Sequence, residues 1–238
     1  MSKLNNKVAY ITGGSKGIGF GIAKSLLDYG MRVAITSRTL SAARLAGASL
    51  SDDPSKVLTL ESNTGSMANE VKAVKAVVDH FGQLDVLVAN AGVGHFAAID
   101  SLTEQQWNET IDTNLTGVFN SVKASIDALK NSKGYIITIA SLAGTNFFET
   151  AAAYNASKFG LVGFSQAIML DLRKYGIKVT TIMPGSVSTH FAGHVPNDAD
   201  AWKIQPEDIG QMVADLLQMN PRTLPSKIEV RPAIPPAK

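Results

Sequence analysis

The sequence predicts a doubly wound α/β fold, a mainly parallel seven-stranded sheet flanked by helices, in a single domain over residues 1–238. Two patterns carry that expectation. Short β-rich runs alternate with helix-length segments almost to the end of the chain. Several of the runs are apolar at nearly every position, as strands buried on both faces are. Strands separated by helices make βαβ units, and their crossovers cover both faces of a parallel sheet.

Taken in order, KVAYIT (7–12) gives the first strand and the segment after its glycines, 17–29, the first helix. MRVAIT (31–36) and a helix at 40–49 follow, then a strand at 57–61 and a helix at 66–81. LDVLVA (84–89) precedes one long helix, 103–130, whose start carries the capping hydroxyls Ser101 and Thr103. YIITIA (135–140) leads to a helix at 152–175, and IKVTTI (177–182) to one at 206–218, with Pro206 suited to the first turn. The last strand is expected at 227–230, and the proline-rich end, 231–238, as an extended tail. No linker, tandem repeat or low-complexity segment divides the body.

Composition narrows the function. Apolar residues make up 45% and charged residues 18%, enough for one large core, and the net charge of +2 does not call for nucleic acid or an anionic membrane as partner. There is no cysteine, which excludes disulfides, thiolate catalysis and cysteine-ligated metal. The apolar stretch before the first glycines is too short for a signal peptide or a spanning helix, so a soluble, cytoplasmic protein is expected.

The first strand runs into TGGSKGIG, residues 12–19. Gly13, Gly17 and Gly19 stand where a strand turns sharply into a helix, and the missing Cβ lets backbone approach a pyrophosphate favoured at a helix N-terminus. A turn of this kind can also be purely structural. The second strand ends in ITSRT, with Ser37 and Arg38 where an acidic residue would take the ribose hydroxyls of NAD. Together with Lys16 they suit a 2′-phosphate, so NADP(H) is expected over NAD, the alternative being two ordinary solvated cations.

In AAAYNASKFGLVGF, residues 151–164, an otherwise apolar helix carries Tyr154 and Lys158 four residues apart, on one face. A nearby cation stabilises a phenolate, which would make Tyr154 a usable proton donor with Lys158 as its tuning charge. An aromatic core edge beside a snorkelling stem is the plainer alternative. Ser141 ends the preceding strand, and ANAG (89–92) ends the fourth, both at the carboxyl edge where α/β sheets bind ligands.

TGGSKGIG, ANAG, Asn114 in DTNLTG, Ser141, YNASK and PGSVST (184–189) occur in order, and as a set they resemble the classical short-chain dehydrogenase/reductase family over about residues 5–190. The resemblance implies a Rossmann-like domain and a nicotinamide oxidoreductase that reduces a carbonyl substrate. It implies Tyr154 as acid–base residue, Ser141 on the substrate oxygen, Lys158 on the nicotinamide ribose, and Asn114 holding a relay water through its backbone in a kinked helix. The dinucleotide would be held by Gly13, Ser15, Lys16, Gly17, Ile18, Gly19, Ser37, Arg38, Asn90, Ala91, Gly92, Pro184, Gly185, Val187 and Thr189. The usual adenine-contacting Asp is absent; Ser62 or Asn63 stands there instead.

Residues 188–205 form the expected substrate loop. Within it, Phe191, His194 and Trp202 are candidate pocket residues, as are His95 and Phe96 after ANAG. His190 and His194 have zinc-ligand spacing, but without a cysteine or an adjacent Glu no metal site is expected. Lys130, Lys133, Arg173 and Lys174 are either a dock for an acyl carrier protein, as in a 3-oxoacyl reductase, or plain helix ends. Fold alone also allows a non-catalytic dinucleotide sensor. The long helices at 103–130 and 152–175 are expected to form an isologous homodimer or homotetramer.

Overall fold

A computed structural model describes residues 3–235. Its sheet contains β1 (Val8–Ile11), β2 (Arg32–Ser37), β3 (Val57–Glu61), β4 (Val86–Ala89), β5 (Tyr135–Ile139), β6 (Lys178–Pro184) and β7 (Lys227–Val230). The strands run in the order β3-β2-β1-β4-β5-β6-β7, and every pairing is parallel. Period-two alternation splits the core into two layers. Ala9 and Ile11 of β1 face α1 (Gly17–Asp28), α2 (Leu40–Leu50) and α7 (Pro206–Gln218). Val8 and Tyr10 face α3 (Met67–Phe81), α5 (Gly117–Ser132) and α6 (Ala152–Leu172).

The helix expected over 103–130 is interrupted. A reciprocal capping box between Thr103 and Gln106 starts α4 (Glu104–Ile111). A π-turn, Asp112–Thr116, then separates it from α5, and the Gly117 N–H donates to the Asp112 carbonyl. Apolar spacing does not betray this, because the axis continues on the far side. The helix expected over 152–175 ends at Leu172, with a 3₁₀ turn Arg173–Tyr175 closing on Gly176 at φ +75°. Residues 231–235 carry neither helix nor strand, and the rest of the expected tail, 236–238, lies outside the described residues.

Two features hold the C-terminal half against the sheet. Helices α1 and α7 meet through small residues: a Cβ at Gly21 would lie 2.5 Å from the carbonyl carbon of Pro206. The loop expected over 188–205 is pinned at its base, where Ser188 and Ile204 exchange backbone bonds with Ile204 and Ser186. Farther out, buried Asp200 receives His194 Nε2 at 2.5 Å on one oxygen and Lys203 Nζ at 2.5 Å on the other. These two partners hold the Asp200 carboxyl well below the usual carboxylate range. His194 is therefore a strut of the loop.

Two outcomes follow from this packing. Gly21→Val forces α1 away from α7, and urea titration should show a loss of about 1–3 kcal/mol with an unchanged m-value. A midpoint equal to wild type would mean the helices separate freely. Because folding depresses the Asp200 carboxyl, its contribution is present above about pH 4 and fades as the pH falls below that. Asp200→Asn should remove this part of the acid dependence in thermal melts, whereas parallel melting curves for the two proteins would assign the clasp no such role.

Candidate active site

The strand order reverses between β1 and β4, so the connections from their carboxyl ends part and leave a crevice there. The chain leaving β1 turns through Gly13 and Gly17, at φ +63° and +56°, conformations that cost a side-chain-bearing residue steric strain. Thr12 Oγ1 accepts the backbone N–H groups of Asn90 and Ala91 at 3.0 and 3.1 Å. The Asn90 amide donates back to the carbonyls of Thr12 and Gly13 at 2.9 and 3.2 Å. A Cβ on Gly13 would lie 3.0 Å from Ala91 Cα. Lys16, the N-cap of α1, makes no side-chain cap, so the first-turn N–H groups remain available to an anion.

The PGSVST run returns over this turn. Pro184 is the last residue of β6, and the Gly185 N–H donates to Val230 at 2.8 Å. Val187 bridges to Ile204, and the Thr189 methyl sits 3.3 Å from where a Gly17 Cβ would be. Ile18 packs half-buried into the core while Ser15 stays at the partly exposed turn. Gly13 to Gly19, Asn90 to Gly92 and Pro184 to Thr189 thus line one edge. The bare glycine backbone and uncapped helix start fit a dinucleotide pyrophosphate.

At the other end of that edge, Ser37 closes β2 and Arg38 extends outward, 78% exposed, with Nη1 3.6 Å from Glu109 Oε1. The second Glu109 oxygen lies 3.0 Å from His95 Nε2. Lys16 is exposed and has no ion-pair partner among the described residues. Of the two candidates at the adenine position, Ser62 is turned inward, its hydroxyl 2.5 Å from buried Glu70, which also accepts the Tyr10 hydroxyl. Asn63 is exposed, and its Oδ1 caps the Gly65 N–H at 3.1 Å. Of the two, Asn63 is the one left at the surface.

The catalytic candidates converge from three elements. Ser141 starts the 3₁₀ turn after β5, and its Oγ accepts the Ala143 N–H at 3.1 Å and donates to the Pro184 carbonyl at 3.5 Å. Tyr154 and Lys158 come from the first turns of α6, buried to 8% and 4% exposure. Asn114, fully buried in the π-turn, accepts the Val93 N–H at 2.8 Å and donates to the Val93 carbonyl at 2.8 Å and to Ser157 Oγ at 3.0 Å. A Cβ on Gly92 would lie 3.4 Å from Asn114 Oδ1 and 3.7 Å from Lys158 Nζ, so Gly92 lets the groups crowd together.

The electrostatics differ from the simple expectation that the ammonium lowers the phenol. Burial raises the Tyr154 phenol above its ordinary value, and the contact with the Ser141 hydroxyl is what works against that rise. Lys158 Nζ is 5.7 Å from the Tyr154 ring centre and donates to the Ile139 carbonyl at 3.0 Å. Burial brings its own pKa down to about 8. In this geometry Ser141 tunes the phenol and Lys158 is a near-neutral-pH group itself.

Aromatic rings wall the site. Phe96 and Phe191 have centroids 5.4 and 5.5 Å from that of Tyr154. His95 is taken up by Glu109 and His194 by Asp200, and Trp202 lies half-buried beneath the Lys203 ammonium, so Phe96 and Phe191 are the pocket candidates that reach Tyr154. Lys130, Lys133, Arg173 and Lys174 gather at the C-terminal ends of α5 and α6, Lys130 and Lys174 lying over the Tyr175 ring, at the sheet edge opposite the crevice.

Three residues escaped the sequence reading. Thr12 clamps the β4 loop, Ser157 links Asn114 to the Tyr154 carbonyl, and Glu109 joins Arg38 to His95. Thr12 and Ser157 sit inside motifs already recognised, TGG and YNASK, which was an available signal. Glu109 had none, since its partners lie 71 and 14 positions away along the chain.

The family model for short chain dehydrogenases matches residues 7–200. A putative ketoacyl reductase of Streptomyces coelicolor is 34% identical over 240 residues, covering 96% of this chain and 89% of that protein. An alcohol dehydrogenase from the archaeon Thermococcus sibiricus, solved with 5-hydroxy-NADP, superposes with TM-score 0.91 at 26% identity over 98% of this chain and 100% of that one. A metagenomic short-chain oxidoreductase solved with NADP superposes with TM-score 0.85 at 31% identity, over 98% and 100% of the two chains. With the glycine turn, the β4 loop and the Ser-Tyr-Lys cluster meeting at one sheet edge, the chain belongs to the short chain dehydrogenase family and is an oxidoreductase.

Proposed function

We propose that the protein is an NADPH-dependent carbonyl reductase that turns a ketone into an alcohol. The observation that carries this reading is the cluster of buried Tyr154 and Lys158 with half-buried Ser141 at the same edge as a glycine cradle, with Ser37 and Arg38, and no acidic residue of the strand's own, at the end of β2. Gly13, Ser15, Lys16, Gly17, Ile18 and Gly19 would hold the pyrophosphate, and Ser37 and Arg38 the 2′-phosphate. Asn63 would meet the base, and Asn90 to Gly92, Pro184, Gly185, Val187 and Thr189 would line the rest. When bound, the dinucleotide supplies the hydride.

The chain's own residues do the remainder. Ser141 gives a hydrogen bond to the carbonyl oxygen as charge develops there. Tyr154 delivers its proton to that oxygen, and the deficit is refilled from Lys158 and a water at the Asn114 backbone. Phe96 and Phe191 flank Tyr154 and limit the water that reaches its ring. The exposed apolar residues Trp107, Phe119, Phe159 and Leu170, on α4, α5 and α6, support an isologous homodimer or homotetramer. Among the described residues no helix is long and apolar enough to cross a membrane, and the reading places the enzyme in the cytoplasm.

A 3-oxoacyl reductase acting on carrier-bound thioesters is a second reading, favoured by the likeness to the Streptomyces protein. The cation cluster gives it no support, standing at the edge opposite Tyr154. Oxidation of NADPH and NADH with free ketones and with acyl thioesters separates the two readings. The expected result is turnover of ketones that prefers NADPH and that Tyr154→Phe lowers about 10²- to 10⁴-fold while nucleotide binding persists. Equal turnover by the variant removes Tyr154 from the reaction, and preference for NADH removes Arg38 from phosphate recognition.

A pH profile tests Lys158. Its folded-state pKa of about 8 means the ammonium is present below that pH and lost above it. Reduction should therefore hold its kcat/KM up to about pH 8 and fall beyond. A profile flat to about pH 10 would show that the group keeps its ordinary value.

A further inference from the structure

Of the two cations given to the 2′-phosphate, one is already engaged. Lys16 has no ion-pair partner among the described residues, whereas Arg38 Nη1 lies 3.6 Å from Glu109 Oε1. That contact joins distant parts of the chain. Arg38 follows β2 and Glu109 stands on α4, after β4, while β1 runs between those two strands in the sheet. The pair therefore links the two sides of the crevice that opens at the end of β1.

The two partners are held unequally. The second Glu109 oxygen receives His95 Nε2 at 3.0 Å. His95 belongs to the loop after β4, and two residues before it Val93 is gripped at its N–H and its carbonyl by buried Asn114. The Glu109 side chain is 38% exposed and that of Arg38 78%, and among the described residues Arg38 has no second ion-pair partner. The carboxylate is thus the fixed member of the pair, and the guanidinium is the one free to swing. Glu61, in register with Ser37 on the neighbouring strand, is occupied elsewhere: its Oε2 accepts the Leu40 N–H at 3.1 Å.

Resting on the NADPH reading above, we propose that Glu109 is a cofactor-discriminating residue, an internal anion that competes with the 2′-phosphate for Arg38. A paired grip on phosphate that uses Nη1 has to release the carboxylate. A nucleotide without that phosphate leaves the pair intact, whereas one that carries it must first displace Glu109. The consequence has a direction. The carboxylate lowers the preference for NADPH over NADH below what Arg38 alone would give, and it takes the guanidinium back when the nucleotide leaves.

The test is calorimetric binding of 2′,5′-ADP and of 5′-AMP to the full chain, which needs no carbonyl substrate. Glu109→Gln keeps an acceptor for His95 and removes the charge. It should tighten 2′,5′-ADP about two- to fivefold, the range open to an exposed pair, and leave 5′-AMP unchanged. In an Arg38→Met background the same substitution should change neither affinity, because the competition has lost its object. Glu61→Gln, which removes a nearby charge that does not touch Arg38, should leave the ratio of the two affinities where it is.

Unchanged binding of 2′,5′-ADP by Glu109→Gln overturns the proposal. Weaker binding overturns it as well, and makes Glu109 a support that holds Arg38 in place for the phosphate. A gain shared equally by 5′-AMP means that the pair only obstructs the crevice, and a gain that persists with Arg38→Met or is matched by Glu61→Gln traces to net charge; each of these also rejects the competition. Failure of the cofactor reading has its own signature: wild-type chain that binds 2′,5′-ADP no better than 5′-AMP, in which case the reading and the proposal fall together.

Discussion

A buried amide has two donors and an oxygen to satisfy, and at Asn114 that requirement organises the site. Both backbone polar groups of Val93, its N–H and its carbonyl, and the hydroxyl of Ser157 meet this one side chain. To reach them, Asn114 must face inward from a helix whose regular winding would continue along its outer stripe. The π-turn Asp112–Thr116 supplies the extra rotation. The loop after β4 is thereby fixed to the π-turn, and the π-turn to α6. Since Ser157 lies between Tyr154 and Lys158, the same amide sets where the phenol and the ammonium stand.

Once those groups are fixed, desolvation decides their chemistry. Tyr154 and Lys158 are both buried, and burial disfavours the charged form of each, pushing the phenol up and the ammonium down. The phenol therefore waits as a neutral donor, and the amine titrates near the pH at which an enzyme works. Ser141 opposes the rise at Tyr154 through its hydroxyl contact. The two groups are matched by their common environment as much as by their proximity, which is a different arrangement from a cation simply tuning an adjacent acid.

Much of this was legible in the chain. The βαβ alternation is strong because strands covered on both faces, such as YIITIA and KVAYIT, have no solvent side to dilute their apolar runs. The glycine turn was legible because φ +63° at Gly13 and close approach to Ala91 leave few alternatives to glycine. The π-turn left no mark in apolar spacing and was reachable only through resemblance. Glu109 and Asp200 were illegible for another reason. Their carboxylates act on Arg38, His95, His194 and Lys203 through contacts that topology and loop closure create, and a surface Glu or Asp in a sequence carries no sign of its partner.

The same contrast separates what the molecule holds fast from what it leaves free. Asp200 is enclosed between His194 and Lys203, so the loop carrying Phe191 keeps its base rigid and delivers that ring against Tyr154. Arg38 is largely exposed and meets Glu109 at 3.6 Å, and an ion pair of that kind contributes about 0–1 kcal/mol at most. A guanidinium held so weakly can exchange Glu109 for a phosphate, with paired hydrogen bonds that outweigh the pair it leaves. On the proposed reading, rigidity lies where the proton would be placed and looseness where the 2′-phosphate would be admitted.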